Sequence, residues 1–135
     1  MIVDTSVIIS ILKAEPDSRE LVLVMKESST TLKLSAASYV EIGAVIDQAR
    51  DPIASRRVDE LITALRIQVE SVTASQADLA REAYRDFGKG SGHPAGLNFG
   101  DCFSYALAKA FAEPLLFKGN DFGHTDVENA IKSSR

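Results

Sequence analysis

The sequence predicts an α/β domain built on a parallel sheet of four or five strands with helices on both faces. Three observations carry that prediction. Short apolar or β-branched runs alternate with longer runs of helical periodicity along the whole chain. No hairpin signal stands between successive strands, so each return has to cross over through a helix. The chain has 135 residues, the size of one ordinary domain, and can bury a core without disulfide or metal staples. One domain, residues 1–135, is therefore expected.

The elements follow in order. Met1 to Val3 is short, apolar and ends at an acid, which reads as a buried strand. Thr5 and Ser6 offer N-cap hydroxyls for a helix through Val7, Ile8, Ile9, Ile11 and Leu12. Pro16-Asp17-Ser18 breaks that helix and starts another, whose apolar positions are Leu21, Val22, Val24 and Met25. Thr30 to Leu34 alternates and is β-branched at its start, so it predicts a second strand. Ser35 or Ser38 can cap a helix reaching about Arg50, and Pro52 suits the first turn of the next, through Leu61, Ile62 and Leu65. Ile67, Val69 and Val72 predict a third strand, and Ser75 caps a helix from Gln76 to Phe87. A loop crowded with Gly88, Gly90, Gly92, Gly96 and Gly100 leads to Asp101, which opens a helix striped by Phe103, Ala106, Leu107, Ala110 and Phe111. Pro114 to Phe117 is the last clear strand. A turn-like tail follows from Asn120, with a short final helix after Asp126.

Composition excludes several classes. Hydrophobic residues make up 45% and charged residues 25%, which is ordinary globular usage and no basis for disorder. The lone cysteine, Cys102, closes no intramolecular disulfide and makes no cysteine-based zinc site, so a reducing, cytoplasmic compartment is expected. The start of the chain lacks a basic region followed by a long apolar one, and no stretch reaches the roughly 18 apolar residues of a membrane span. The net charge of −4 argues against a binder that holds nucleic acid by charge alone. It leaves room for an enzyme whose positive charge is a bound metal.

Four scattered carboxylates carry the chemistry. Asp4 follows the first strand, and with Thr5 and Ser6 able to cap, an acid is not needed there for helix capping. Glu41 has Ala37, Ser38, Ala44 and Val45 as helical neighbours, none of them basic, and lies beside a stripe of Tyr39, Ile42 and Ile46. A carboxylate so placed is costly unless a cation or another partner meets it. Asp101 stands at a helix start and Asp121 just past the last strand. Each of these, alone, is explained by a cap or a turn. Together, three of the four lie at strand ends or helix starts, where parallel sheets bind ligands. Glu41 joins them if its helix crosses that edge. Gathered carboxylates repel, and a divalent cation removes the repulsion. Hard oxygen donors suit Mg²⁺ or Mn²⁺ rather than Zn²⁺. Such a centre hydrolyses phosphodiesters without a serine or cysteine nucleophile.

Four segments resemble PIN domains, and more narrowly the VapC toxins of VapBC toxin–antitoxin pairs in the form common in mycobacteria. They are Ile2-Val3-Asp4-Thr5-Ser6, the helix around Glu41, Asn98-Phe99-Gly100-Asp101-Cys102-Phe103-Ser104-Tyr105, and Leu116-Phe117-Lys118-Gly119-Asn120-Asp121-Phe122. The likeness covers nearly the whole chain in order and spacing. It implies a PIN-like fold and a metal-dependent endoribonuclease that cuts structured RNA of the tRNA or rRNA class and arrests growth. Asp4 and Asp101 would be the principal ligands of Mg²⁺ or Mn²⁺, Glu41 and Asp121 would complete the acidic set, and Thr5 or Ser6 would position water or phosphate. It also implies homodimers and a VapB-type antitoxin, with Leu21, Val22, Val24 and Met25 as candidates for its groove or, residue by residue, for core packing. Many PIN domains carry a hydroxyl and an extra aspartate where this chain has Phe117 and Gly119. Asp126 is therefore an alternative fourth ligand, or simply the cap of the final helix.

Other signals are weaker. Gly88-Lys89-Gly90-Ser91 is no phosphate loop, since position 83 is Ala83 and a helix precedes it. Its glycines instead suggest a mobile loop over the substrate mouth. His93 and His124 read as solvated loop residues. Arg50, Arg56, Arg57, Arg66, Arg81 and Arg85 include candidate phosphate contacts among solvated helix faces. Two rival functions remain open: a phosphatase or phosphoacceptor domain using Asp4, and a non-catalytic PIN-like module that binds RNA or a partner.

Overall fold

The computed structural model describes residues 1–131. Four parallel strands, β1 (Ile2–Val3), β2 (Lys33–Ser35), β3 (Gln68–Glu70) and β4 (Leu115–Leu116), form one sheet in the order β3-β2-β1-β4. Ile2 pairs with Lys33 on one side and Leu115 on the other, and Lys33 pairs onward with Gln68. The connections are helical: α1 (Thr5–Leu12), α2 (Ser18–Lys26), α3 (Ala36–Asp47), α4 (Pro52–Ala64), α5 (Ala74–Phe87) and α6 (Asp101–Phe111). A 3₁₀ turn, Asp121–His124, follows β4.

Strands β1, β2 and β4 are short and largely buried, as a covered parallel sheet requires, whereas the edge strand β3 is largely exposed. Side-chain alternation sends Ile2 and Leu115 to one core with α5 and α6, and Val3, Leu34 and Leu116 to another with α1 to α4. Helices thus cover both faces, as the alternating pattern predicts. The predicted fifth strand survives only as a trace. Asn129 makes a parallel bridge to Leu115, whose amide donates to the Glu128 carbonyl while its own carbonyl accepts from Ala130.

Several local readings need correction. Asp4, not Thr5 or Ser6, caps α1, its Oδ2 accepting from the Ser6 amide at 3.0 Å. Thr73, not Ser75, caps α5, which starts at Ala74. A threonine hydroxyl one residue upstream reaches the Gln76 amide, so the helix begins earlier. Ser35 rather than Ser38 caps α3. Strand β2 excludes Thr30 and Thr31, which instead accept from the Met1 amine. On α6 the buried set is Cys102, Ser104, Tyr105, Ala106, Leu107 and Ala108. Ala106 and Leu107 are as expected, whereas Ala110 and Phe111 are exposed, the latter under the Lys33 ammonium. No helix follows Asp126 among the described residues, because that segment runs beside β4 instead.

The glycine-rich loop is tied down at its base. Gly88 bridges Leu97, the Lys89 amide donates to the Leu97 carbonyl, and the Leu97 amide donates to the Phe87 carbonyl. Leu97 and Ala95 are core residues. His93 stands edge-on to Phe87 at 4.9 Å, and its Nδ1 accepts from the Ala95 amide. These bonds close the loop at its base.

Candidate metal centre

The carboxyl edge of the sheet gathers the elements that matter. Asp4 leaves β1 with its amide still donating to the Leu116 carbonyl at 2.9 Å, so its backbone is stitched to β4. Its side chain is only 3% exposed. Oδ2 holds the Ser6 amide, and Oδ1 accepts from the Ser104 hydroxyl at 2.5 Å. The Ser104 oxygen lies 3.4 Å from that of Ser38 on α3. Both serines are buried, so these hydroxyls have little but each other and Asp4 to satisfy them.

Asp101 opens α6 in a reciprocal clamp. Its Oδ2 accepts from the Asn98 amide at 3.0 Å, and its own amide donates to Asn98 Oδ1 at 2.9 Å. Burial pushes its carboxyl up to about 6, and the charges of Asp4, Asp121 and Glu41 push the same way, against the Asn98 amide. The four acids therefore share one electrostatic neighbourhood. Glu41 reaches it across Gly100: a Cβ built there would lie 2.1 Å from Glu41 Oε2. Only a residue without a side chain lets that carboxylate lie over the loop before Asp101.

The hydroxyls divide. Thr5 Oγ1 is buried without a hydrogen-bond partner beside Asp4, an orphan polar atom at the site. Ser6 Oγ accepts from the Lys118 amide at 3.0 Å, which binds α1 to the segment leading to Asp121. The Lys118 ammonium turns away to Asp17 and Glu15. Asp126, the alternative acid, is engaged elsewhere. It accepts from the Tyr105 hydroxyl at 2.7 Å and the Lys109 ammonium at 2.9 Å. Lys109 lies eight residues along α6 from Asp101, a rise of roughly 12 Å. Asp126 thus belongs to the far end of that helix.

The donor set is all hard oxygen. Among the described residues no group of three or more His, Cys, Asp and Glu side chains is placed to hold a metal ion. Oxygen donors of this kind are the chemistry of a hard divalent cation that keeps part of its water shell. Ser38, Ser104 and Gly100 are the residues that reading the sequence did not single out as part of the site. Ser104 had a signal, since it stands three positions after Asp101 on the same helix. Ser38 stands three before Glu41.

A doubly covered parallel sheet with acids meeting at its carboxyl edge defines a class, and a family model names it: PIN domain matches residues 1–128, and the chain belongs to that family. Its relatives narrow the class to the VapC ribonucleases. Ribonuclease VapC28 of Mycobacterium tuberculosis is 59% identical over 131 residues, 97% of this chain and 98% of that one. Ribonuclease VapC42 of the same species is 49% identical over 130 residues, 96% of this chain and 98% of that one. Among solved structures, Mycobacterium tuberculosis VapC20, a sarcin–ricin loop cleaving toxin, superposes with TM-score 0.72 at 17% identity, covering 93% of this chain and 95% of its own. A toxin–antitoxin complex from Klebsiella pneumoniae gives 0.67 at 13%, covering 90% and 88%. These two speak for the fold.

Proposed function

We propose that the chain is the toxin of a toxin–antitoxin pair and a Mg²⁺- or Mn²⁺-dependent endoribonuclease that hydrolyses phosphodiester bonds of structured RNA of the tRNA or rRNA class. The observation that supports this best is the convergence on Asp101, whose carboxyl is held near 6 by burial with Asp4, Asp121 and Glu41 adding to it. Asp4 and Asp101 would hold the cation, with Glu41 and Asp121 engaging it directly or through water. When bound, the cation supplies a water of lowered pKa and positive charge against the phosphate. Thr5, with its unpartnered hydroxyl, is the residue to orient that water or a phosphate oxygen. Ser6 and Ser104 hold their neighbours in place. A phosphoacceptor role for Asp4 fits poorly, because Thr5 and Ser6 follow it where such sites want a second acid in the same segment.

The proposed partners are a VapB-type antitoxin and a second copy in a homodimer. Leu21 and Met25 lie in the core and are not available to the antitoxin. Val22 remains available, in a shallow apolar groove with Ile11 and the exposed Leu23 between α1 and α2. No helix among the described residues is long and apolar enough to cross a membrane, and the proposed substrate is cytoplasmic. The test is cleavage of total RNA with Mg²⁺ or Mn²⁺ against EDTA and an Asp101→Asn control. Metal-dependent cutting lost in the variant is expected. A folded, metal-binding protein that cuts neither tRNA nor rRNA sinks the proposal in favour of a non-catalytic RNA- or partner-binding module.

A further inference from the structure

Lys118 lies three residues before Asp121 and ties its segment to two other parts of the chain. Its amide donates to Ser6 Oγ on α1 at 3.0 Å. Its ammonium reaches the turn between α1 and α2, 3.1 Å from Asp17 Oδ1 and 3.4 Å from Glu15 Oε1. That turn is itself fixed to α1. The Glu15 amide donates to the Ser10 carbonyl, and the buried Ser10 hydroxyl donates to Asp17 Oδ1 at 2.9 Å.

Asp17 stands at the N-cap position of α2, where an aspartate ordinarily accepts from the first helical amides. Here no side-chain hydrogen bond caps the helix. The carboxylate turns instead to Ser10 and Lys118, so α2 goes without its cap and the lysine is held.

Asp121 depends on that hold more than Asp4 or Asp101 does. Each of those has a carboxylate oxygen pinned by a backbone amide. Asp121 is exposed and opens a 3₁₀ turn that has no side-chain cap. Its place is set by the chain on either side. Downstream, Phe122 is buried against Phe117, with ring centroids 5.3 Å apart. Upstream, Gly119 has φ +95°, a left-handed conformation that glycine adopts freely and does not stiffen. The next anchor before it is Lys118.

We propose that Lys118 is a positioning residue. Its ion pairs with Asp17 and Glu15 set where the Asp121 carboxylate stands at the acidic edge, and through it the affinity for the cation. This rests on the reading of that edge as a divalent-cation site. Lys118 touches neither the cation nor the RNA in this role.

The sign of the effect separates positioning from plain charge. Lys118 is a positive group near a site for a cation, so by repulsion alone its removal should strengthen metal binding. Positioning predicts the opposite. The ion pairs are partly exposed, and such pairs contribute little to stability, so the fold survives their loss.

The experiment is a calorimetric titration of the parent and its variants with Mn²⁺, without RNA, alongside thermal unfolding in EDTA. Lys118→Met should bind Mn²⁺ roughly tenfold more weakly, the lower end of what the outer partners of a metal ligand contribute. Its Tm in EDTA should stay close to the parent's. Lys118→Arg keeps the charge and the reach and should restore the affinity. Asp17→Asn keeps an acceptor for Ser10 but loses the charge. It should weaken binding in the parent yet add little to Lys118→Met, because the two residues act through one contact. Affinity in Lys118→Met equal to or above the parent's would overturn the proposal and leave Ser6 and Phe122 as sufficient anchors. So would a loss that Lys118→Arg fails to restore. A parent that binds no Mn²⁺ would overturn this proposal together with the metal reading beneath it.

Discussion

Ser104 and Asp4 stand one hundred residues apart in the chain, and the Ser104 hydroxyl donates to Asp4 Oδ1 at 2.5 Å. The bond joins the start of α6 to the end of β1 inside the protein, and Ser38 extends it to α3. Removing the hydroxyl leaves Asp4 with an unmet acceptor in a buried place. Ser104→Ala is expected to cost about 1–3 kcal/mol, since the bond is charge-assisted. It should also weaken Mn²⁺ binding by letting Asp4 turn. Thermal unfolding and metal titration of the variant check both. Unchanged metal affinity would mean that the Ser6 amide alone fixes the carboxylate.

Gly100→Ala should separate the site from the fold. The added methyl falls on the Glu41 carboxylate, the far end of a flexible side chain, so Glu41 swings away at little cost in stability. Nuclease activity should fall while Tm moves by only a degree or two. A large loss of Tm would show that Glu41 cannot yield. Gly88→Ala is the contrasting case. Its methyl meets the Tyr84 carbonyl at 2.1 Å, and backbone cannot move aside, so that variant should be clearly destabilised.

The Asp101 carboxyl gives a pH dependence of known sign. It ionises near 3.8 when unfolded and near 6 when folded. Between those values the folded state binds more protons, so its contribution to stability falls as pH rises and is fully lost above 6. The metal-free protein at pH 7 therefore carries a penalty of about 1–2 kcal/mol after allowance for solvent screening. Asp101→Asn in EDTA should be the more stable protein at pH 7, and its advantage should vanish near pH 4. Unfolding curves of both proteins from pH 4 to 8 measure this. An advantage that does not change with pH would contradict it.

Asp126→Asn should leave Mn²⁺ binding and RNA cleavage as they are. The carboxylate is committed to Tyr105 and Lys109, so the change is confined to that end of α6. A stability loss of about 1 kcal/mol is expected. A variant that no longer bound metal would return Asp126 to the ligand set.

The order of strands and helices was readable because each strand is a short apolar run and each helix shows its period. What could not be read were choices between neighbouring hydroxyls. Thr73 caps α5 in place of Ser75, and Asp4 caps α1 in place of Thr5 or Ser6. In each case two or three polar side chains lie within one turn, and only backbone geometry decides between them. Asp4, Asp101 and Asp121 could be proposed as a set because strand ends and helix starts share one edge of a parallel sheet, whereas Glu41 rested on its lack of a basic neighbour. Ser38 and Gly100 were not legible, since their roles depend on how α3 crosses α6. Phe103 and Phe111 were assigned to a core stripe because periodicity identifies a face but does not say what covers it.

The centre draws on four separate stretches of chain: 4–6, 38–41, 98–104 and 118–121. A chain made from its amino end carries Asp4 and Glu41 for most of its synthesis with nothing opposite them. Asp101 comes late, and Asp121 arrives with the last strand. A product that stops before Asp121 lacks part of the proposed set. For a protein proposed to cut the RNA of its own cell, the harmful state is thereby deferred until β4 and the turn after it have been made, so an inhibitor need recognise only the folded form.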